Sequence, residues 1–295
     1  MTLFSRALLA LDMSETDHSL IHYFAYLQPL INTKQVYFVH IMPDFVAPKG
    51  EAAAFQKLFN PEHPIDEKMR AAIFEQIQTL FADRKNLDLA VEVIEGKPYE
   101  KLLHWTKVKD IDLLVTGIKK ASEGSGITPR RVARHSECNI LFVPTEAPTD
   151  IRNILVLTDF SENSLRALRT AIELRQQIEH AKITVLHVVD LPSDSYYLRT
   201  PPERGFTALL RDAAQESFNK LMIENQINKE NLSFDIVENH YLNIAAHIIE
   251  YADTNPTDLL ILGAQGHSAF ENFLYGSVTE RLVEKYRNKP ILIIR

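Results

Sequence analysis

The chain is poor in the residues that mark several specialised protein classes. Its 295 residues include one cysteine, Cys138, so no internal disulfide can form, and no run of cysteine and histidine has the spacing of a structural zinc site. Nine glycines and 14 prolines exclude collagen-like and low-complexity chains. With 45% hydrophobic and 24% charged residues, the chain is instead expected to fold into globular domains.

An excess of basic residues is also missing. Lys and Arg number 32 against 39 Asp and Glu, which gives a net charge of -7 and the wrong sign for a general nucleic-acid binder. No run approaches the roughly 18 apolar residues of a membrane span, so we expect no membrane partner. The apolar run after Arg6 ends at Asp12 and predicts a buried strand rather than a secretory signal. A single cysteine fits a reducing cytoplasm.

The two halves of the chain repeat each other. Asp12 and Ser14 align with Asp159 and Ser161 at an offset of 147 residues, and further matched blocks follow in the same order: 36–41 with 183–188, 112–117 with 258–263, and 140–144 with 291–295. A period this long is a whole domain rather than a solenoid unit. The sequence therefore predicts domains at 1–145 and 150–295, joined by a polar linker bracketed by prolines.

Within each half, short apolar runs alternate with stretches of helical periodicity. Ser161 in the second half, and Ser14 or Asp17 in the first, are candidate N-caps of the first helices. This pattern predicts α/β domains, each an open parallel sheet of about five strands with helices on both faces, and places ligands beyond the carboxyl ends of the strands. The last runs, 140–143 and 291–294, are strongly apolar, and their pairing in an internal pseudo-dimer would cover both edges. A homodimer of the whole chain is left open.

The most informative stretch follows the apolar run 259–262. Gly263 and Gly266 come first, and Gly276 and Ser277 then begin a helical pattern. Glycine permits positive φ and close approach of backbone amides to an anion, while a helix start supplies unpaired N–H groups. There is no P-loop motif, and the G-x-G at Gly124 lacks the last glycine of a dinucleotide fingerprint. The stretch therefore predicts phosphate binding without a lysine.

This spacing resembles the G-2x-G-9x-G-[ST] signature of the ATP-binding universal stress proteins, and the resemblance extends over both halves as a tandem pair. It implies a Rossmann-like parallel sheet with strand order 3-2-1-4-5 and an adenine nucleotide, ATP, ADP or AMP, in the second domain. Carried over to this chain, it assigns Asp159 and the Val188 backbone to the adenine and ribose. It assigns the phosphate side to the glycine stretch: Gly263, Gly266, His267, Gly276, Ser277, Val278 and Thr279.

Two residues of the stretch depart from the family pattern. His267 stands where the family often has Lys or Arg, and a neutral histidine compensates no phosphate charge. We therefore expect nucleotide affinity to rise as the pH falls toward about 6.5. Glu271 adds a negative charge, which opposes a triphosphate unless a divalent ion such as Mg²⁺ accompanies it.

The first half departs further. Its loop after Gly117 is shorter, Lys120 stands where Gly266 stands, and the glycines near Gly124 replace Gly276 only loosely. We predict that this degenerate loop binds no ATP and that the first domain serves the interface or another ligand. His40 and His187 end equivalent strands in both halves, which favours a structural role for both.

Three classes of function remain open at this point. The first is a nucleotide-binding regulator of the stress response, and the second is a slow ATPase or an enzyme that phosphorylates itself on Ser277 or Thr279. The third is a scaffold that needs no nucleotide. Because no general base and no paired carboxylates stand in the glycine stretch, we assign no catalytic residue and no metal ligand.

Overall fold

The computed structural model describes residues 2–42, 65–119, 131–132, 134–190, 204–239, 243–265 and 276–295. The chain divides into two compact units, Met1–Thr149 and Asp150–Arg295. Within the described ranges, none of the helices combines the length and apolar character that crossing a bilayer requires.

The first unit alternates strands and helices along its described residues. Its elements are, in chain order, β1 (Arg6–Leu11), α1 (Glu15–Ile31), β2 (Gln35–Met42), α2 (Ile65–Phe81), β3 (Asp88–Glu95), α3 (Pro98–Val108), β4 (Leu113–Ile118) and β5 (Asn139–Pro144). All strand pairs within the unit are parallel, and their order is β3-β2-β1-β4-β5.

The second unit repeats this plan. Its elements are β6 (Asn153–Leu157), α4 (Glu162–Gln177), β7 (Lys182–Asp190), α5 (Arg204–Glu224), β8 (Leu232–Asn239), α6 (Ile244–Thr254), β9 (Leu259–Gly263), α7 (Ser277–Lys285) and β10 (Ile291–Ile294). Its parallel strands follow the order β8-β7-β6-β9-β10. Numbered along each unit, both sheets have the order 3-2-1-4-5 that the family resemblance implies.

The central strands form the core because they are apolar on both faces. Leu113, Leu114 and Val115 of β4 are completely buried, as are Leu260 and Ile261 of β9. Such continuous apolar runs are typical of parallel strands covered by helices on both sides. The prediction of an α/β fold with parallel sheets is therefore confirmed.

The helices contribute one apolar stripe each. In α4 the buried residues Leu165, Leu168, Ala171 and Leu174 recur every three positions, which places them on the same side of the helix. The Ser161 side chain accepts a hydrogen bond from the Ser164 backbone amide at 3.3 Å, as expected of an N-cap residue. The helix thus starts directly behind the loop that follows β6.

Candidate functional site

The candidate site lies at the carboxyl edge of the second sheet, where the strand order reverses. β6 pairs with β7 on one side and with β9 on the other, so the chain leaves the sheet in opposite directions from β6 and β9. Ligands of open α/β sheets bind in the crevice that forms at such a reversal. Asp159 follows β6 and Gly263 ends β9, and these two residues therefore flank the crevice.

Asp159 shapes the turn between β6 and α4. One carboxylate oxygen accepts hydrogen bonds from the Ser161 backbone amide at 3.1 Å and from the Ser161 hydroxyl at 2.5 Å. Phe160, between them, has a φ of 64°, the left-handed conformation that is uncommon for a residue with a side chain. The half-buried Asp159 side chain is thus held in a fixed position at the crevice.

His187 fixes the same turn from the neighbouring strand. Its Nδ1 lies 2.9 Å from the Thr158 carbonyl oxygen, and its ring centroid lies 4.6 Å from that of Phe160. Burial lowers the pKa of His187 below its ordinary value, although the bond to Thr158 and the nearby Asp159 carboxylate oppose the shift. The contact to a backbone carbonyl is a structural role. It recurs in the first unit, where Nδ1 of His40 lies 3.0 Å from the Leu11 carbonyl oxygen.

Val188 lies where β7 extends past the end of β6. The last paired residues of these strands are Leu157 and Leu186, and the Leu186 carbonyl still accepts a hydrogen bond from the Thr158 amide at 2.9 Å. Peptide groups alternate in direction along a strand, so the Val188 peptide points to the same side as that of Leu186. Its backbone therefore faces the space beyond the end of β6, on the side of Asp159.

Gly263 is required by close packing, and the expectation of a positive φ in this stretch is wrong for the two described glycines. Gly263 is not among the residues with positive φ, and Gly276 has a φ of -73°. A Cβ atom on Gly263 would instead lie 2.8 Å from the main-chain carbon and the Cβ of Asn163, and 2.9 Å from its carbonyl oxygen. Glycine at 263 thus lets the first turn of α4 approach the end of β9.

The start of α7 is tied to the end of β9. The Gly276 amide donates to the Ala264 carbonyl at 2.9 Å, and the Thr279 hydroxyl donates to the Gly263 carbonyl at 3.3 Å. The Thr279 side chain is only 4% exposed, whereas Ser277 is exposed. These two bonds bring Gly263 and the segment Gly276–Thr279 together although 12 residues separate the two glycines.

The first turn of α7 offers hydrogen-bond donors. The first amides of a helix have no partner within the helix, and Gly276, as the N-cap, has no side chain to supply one. Within the described part of the chain, the backbone amides of Ser277, Val278 and Thr279 donate to no other residue. Together with the positive end of the helix dipole, these amides are an arrangement that suits an anion. Glu280, in the same turn, adds a negative charge.

Gly266, His267 and Glu271 lie outside the described residues, and so do Lys120 and Gly124 of the first half. Their predicted roles stay predictions. In the ranges that the structure describes, no group of three or more His, Cys, Asp or Glu side chains is arranged to hold a metal ion.

The equivalent place in the first unit contains an ion pair. Nζ of Lys119, just beyond β4, lies 2.6 Å from a carboxylate oxygen of Asp12, which follows β1 as Asp159 follows β6. Burial opposes ionisation of Asp12, but Lys119 and the Ser14 amide outweigh it, so the pKa of Asp12 lies below its ordinary value. In the second unit the residue two positions after the strand-end glycine is Gln265, whose carbonyl accepts from Asn163 at 3.2 Å.

Asp17 distinguishes the first unit further. Its carboxylate accepts hydrogen bonds from the backbone amides of Asp12 at 3.2 Å and Met13 at 2.7 Å, which fix the turn after β1. In the second unit the side chains of Thr158 and Ser164 fix the equivalent turn. Burial raises the pKa of Asp17 to about 6, partly offset by these two amides, and the Asp12 charge adds to the rise.

Sequence reasoning missed Lys119 and Asn163. Their contacts cross 107 and 100 positions of the chain, respectively, and no local pattern marks them. The single available signal was the alignment of the two halves, which sets Lys119 against Gln265 and Thr16 against Asn163.

Comparison with known proteins agrees with the resemblance. A model described as "Universal stress protein family" matches residues 3–144 and again 150–295. A universal stress protein of Methanocaldococcus jannaschii is 27% identical over 147 residues, which cover 49% of this chain and 82% of the relative. The stress response protein NhaX of Bacillus subtilis is 27% identical over 166 residues, covering 48% of this chain and 96% of the relative.

A solved structure supports the fold over the whole chain. A universal stress protein from Archaeoglobus fulgidus has a TM-score of 0.67 and 13% identity, with 98% of both chains covered. At this identity the likeness concerns the fold alone.

Proposed function

Because the chain belongs to the universal stress protein family, we propose that it is a stress-response regulator whose second domain binds one adenine nucleotide, ATP, ADP or AMP. The observation that carries the proposal is the first turn of α7, whose three backbone amides have no partner among the described residues. Hydrogen bonds from Thr279 and Gly276 hold this turn against the end of β9. A phosphate group is the ligand that such a helix start favours.

The rest of the crevice supports an adenine nucleotide over a free phosphate. The Asp159 carboxylate is held by Ser161 and lies beyond β6, where it suits the hydroxyl donors of a ribose. The Val188 peptide faces the same space and suits the edge of a base. In this proposal Gly263 and Gly266 let the chain approach the phosphates closely, and His267, Ser277, Val278 and Thr279 line the phosphate side.

The proposal assigns the nucleotide to the second domain and not to the first. In the first unit the Lys119 ammonium neutralises Asp12 at 2.6 Å, so the carboxylate that would meet the ribose is already paired. The intact glycine spacing is also confined to the second half. We therefore expect one nucleotide per chain.

Nucleotide binding is proposed to act as a signal. A ligand present at 100 times its dissociation constant stabilises the folded state by about 2.7 kcal/mol, which is enough to bias the binding of a protein partner. The proposal places the protein in the cytoplasm, because a chain with a single cysteine requires no oxidising compartment. It also keeps the internal pseudo-dimer as the way in which the two halves associate.

The decisive experiment is to denature the freshly purified protein and to identify the released nucleotides by chromatography and mass spectrometry. We expect about one adenine nucleotide per chain, since one intact site is proposed. Incubation of the bound ATP with Mg²⁺ then separates a regulator, which leaves it intact, from a slow ATPase. No released nucleotide and no thermal shift with added ATP would favour the scaffold.

Two variants test the site itself. Gly276→Asp introduces a preferred N-cap residue at an ordinary φ of -73°, so we expect it to keep the fold while it places a negative charge against the phosphate. Asp159→Ala removes the ribose acceptor, and Asp12→Ala is its matched control because Asp12 makes the same turn contact to Ser14 at 3.1 Å. We expect nucleotide to be lost in Gly276→Asp and Asp159→Ala and kept in Asp12→Ala. Loss in all three variants, or in none, would contradict the assignment.

A further inference from the structure

The second unit contains a cleft far from the candidate nucleotide site. Its volume is about 220 Å³, and its polar lining residues are Asn153, Thr184, Asp235, Tyr251 and Asn255. Asn153 is the first residue of β6 and Asn255 follows the end of α6, so the cleft lies toward the amino ends of the strands. Asp159 and Gly263 lie at the opposite, carboxyl ends.

The lining of the cleft includes the Asp235 carboxylate, whose charge is balanced by few of the described groups. The Tyr251 hydroxyl donates to Asp235, and among the residues that the structure describes this is the one hydrogen bond that the carboxylate accepts. A carboxylate has about four acceptor positions, so most of its capacity is unused by described groups. Within the described residues, no positively charged side chain forms an ion pair with Asp235.

The end of α6 adds further negative potential at the same place. Tyr251 and Asn255 belong to the last turn and cap of this helix, where the unpaired carbonyl groups carry the negative end of the dipole. The last turn contains no basic residue, although Lys or Arg commonly stands at this position. The cleft therefore favours a positively charged group.

In the first unit, a lysine of the chain itself occupies the equivalent place. α3 and α6 are both 11 residues long, so Trp105 corresponds to Tyr251 and the cap residue Lys109 corresponds to Asn255. Nζ of Lys109 lies 5.3 Å from the ring centroid of Trp105 and 5.4 Å from that of Tyr37. The two rings pack edge to face at 6.2 Å.

The second unit has smaller or uncharged residues at each of these positions. Thr184 replaces Tyr37, Tyr251 replaces Trp105, and Asn255 replaces Lys109. The Tyr37 ring is thus replaced by a much smaller side chain and the lysine ammonium is absent, while the Asp235 carboxylate lines the cleft. The cleft occupies the space that these substitutions leave.

We propose that this cleft binds a small molecule carrying an alkylammonium group, which pairs with Asp235 and takes the place of the lysine ammonium of the first unit. The Tyr251 ring and hydroxyl form one wall, and Ile154 and Pro256 contact the aliphatic part of the ligand. The site is independent of the nucleotide site, so either proposal stands if the other fails.

The test uses butylammonium as the probe and butanol as its uncharged equivalent. The full chain is titrated with each compound, and the amide NMR signals of Thr184 and Asn153 report binding. Because hydrogen bonds to a charged group contribute about 1.5–3 kcal/mol, we expect butylammonium to bind at least about tenfold more tightly than butanol. Equal affinities, or no shifts at either residue, would show a cleft that holds only water and would overturn the proposal.

Three variants separate a specific pair from general electrostatic attraction. Asp235→Asn keeps an acceptor for Tyr251 and should abolish the preference for butylammonium over butanol. Asn255→Lys restores the lysine of the first unit and should also weaken butylammonium binding. Glu250→Gln is the control, because it removes one charge from α6 at a side chain that is 74% exposed and outside the cleft lining. If Glu250→Gln weakens binding as much as Asp235→Asn does, the proposal is wrong.

Discussion

Replacing Gly263 by alanine tests whether close packing against Asn163 is what requires glycine at this position. The added Cβ would lie 2.8 Å from the main-chain carbon of Asn163, and contacts below 3.0 Å require a shift of one partner. Since the obstructing atoms include main chain in the first turn of α4, the helix itself must move. Overpacking of this kind costs about 1–3 kcal/mol.

The matched control is Gly117→Ala in the first unit. There the added Cβ would lie 2.7 Å from a side-chain methyl group of Thr16, while the next atom is at 3.6 Å. Because the close atom is a side-chain methyl group, we expect a rotation of the Thr16 side chain to relieve this contact, and a departure of about 30° from a rotamer costs about 0.5–1.5 kcal/mol. Gly263→Ala should therefore destabilise its unit more than Gly117→Ala destabilises the other.

Peptide-resolved hydrogen exchange measures both effects in the whole chain. We expect faster exchange in α4 and in the turn at Asp159 for Gly263→Ala, and a smaller effect in α1 for Gly117→Ala. A domain of about 150 residues loses about 2–4 °C in melting temperature per kcal/mol, so the melting temperature of the second unit should fall by roughly 2–12 °C. If Gly263→Ala leaves exchange in α4 unchanged, the close approach to Asn163 is not what requires glycine.

Three further predictions concern pH. The pKa of Asp17 is raised to about 6 from an ordinary 3.8, which means that the folded state holds this proton more tightly than the unfolded chain does. The first unit should therefore lose stability as the pH rises from about 4 to about 6. Asp17→Asn should remove this pH dependence of stability, measured by hydrogen exchange. The lowered pKa of His187 has the opposite effect on stability, because the unfolded chain takes up the proton first. The second unit should lose stability as the pH falls below about 6.5, and His187→Gln should weaken this dependence of stability on pH. Nucleotide affinity measured by calorimetry should rise from pH 8 to pH 6 if His267 faces the phosphates, and an affinity that does not change over this range would refute that role.

The fold was accessible from the sequence because its strongest signals are local. Buried parallel strands are continuous apolar runs, and the duplication displayed the same run twice, as in the segments ending at Asp12 and Asp159. The spacing of the glycines identified the glycine stretch, but the sequence did not reveal why position 263 requires glycine. A sequence does not distinguish a glycine needed for positive φ from one needed for close packing, since Asn163 reaches Gly263 only through the folded sheet.

The contacts that sequence reasoning missed suggest how the two halves have diverged. At the carboxyl edge of the first unit, Lys119 pairs with Asp12, and the second unit has Gln265 at the position of that lysine. On the α3 side of the first sheet, Lys109 lies over Tyr37 and Trp105, and the second unit has Asn255 at the position of that lysine.

Two lysines of the first unit thus have uncharged counterparts in the second, at two separate places. The second unit has Asp159 at the carboxyl edge and Asp235 in the cleft, with no lysine at either of the two equivalent positions. In the second unit the proposed ligands would meet these carboxylates, the hydroxyl groups of a ribose at Asp159 and an ammonium group at Asp235. The first unit satisfies these positions from its own chain, and for that reason we expect ligand binding to be concentrated in the second.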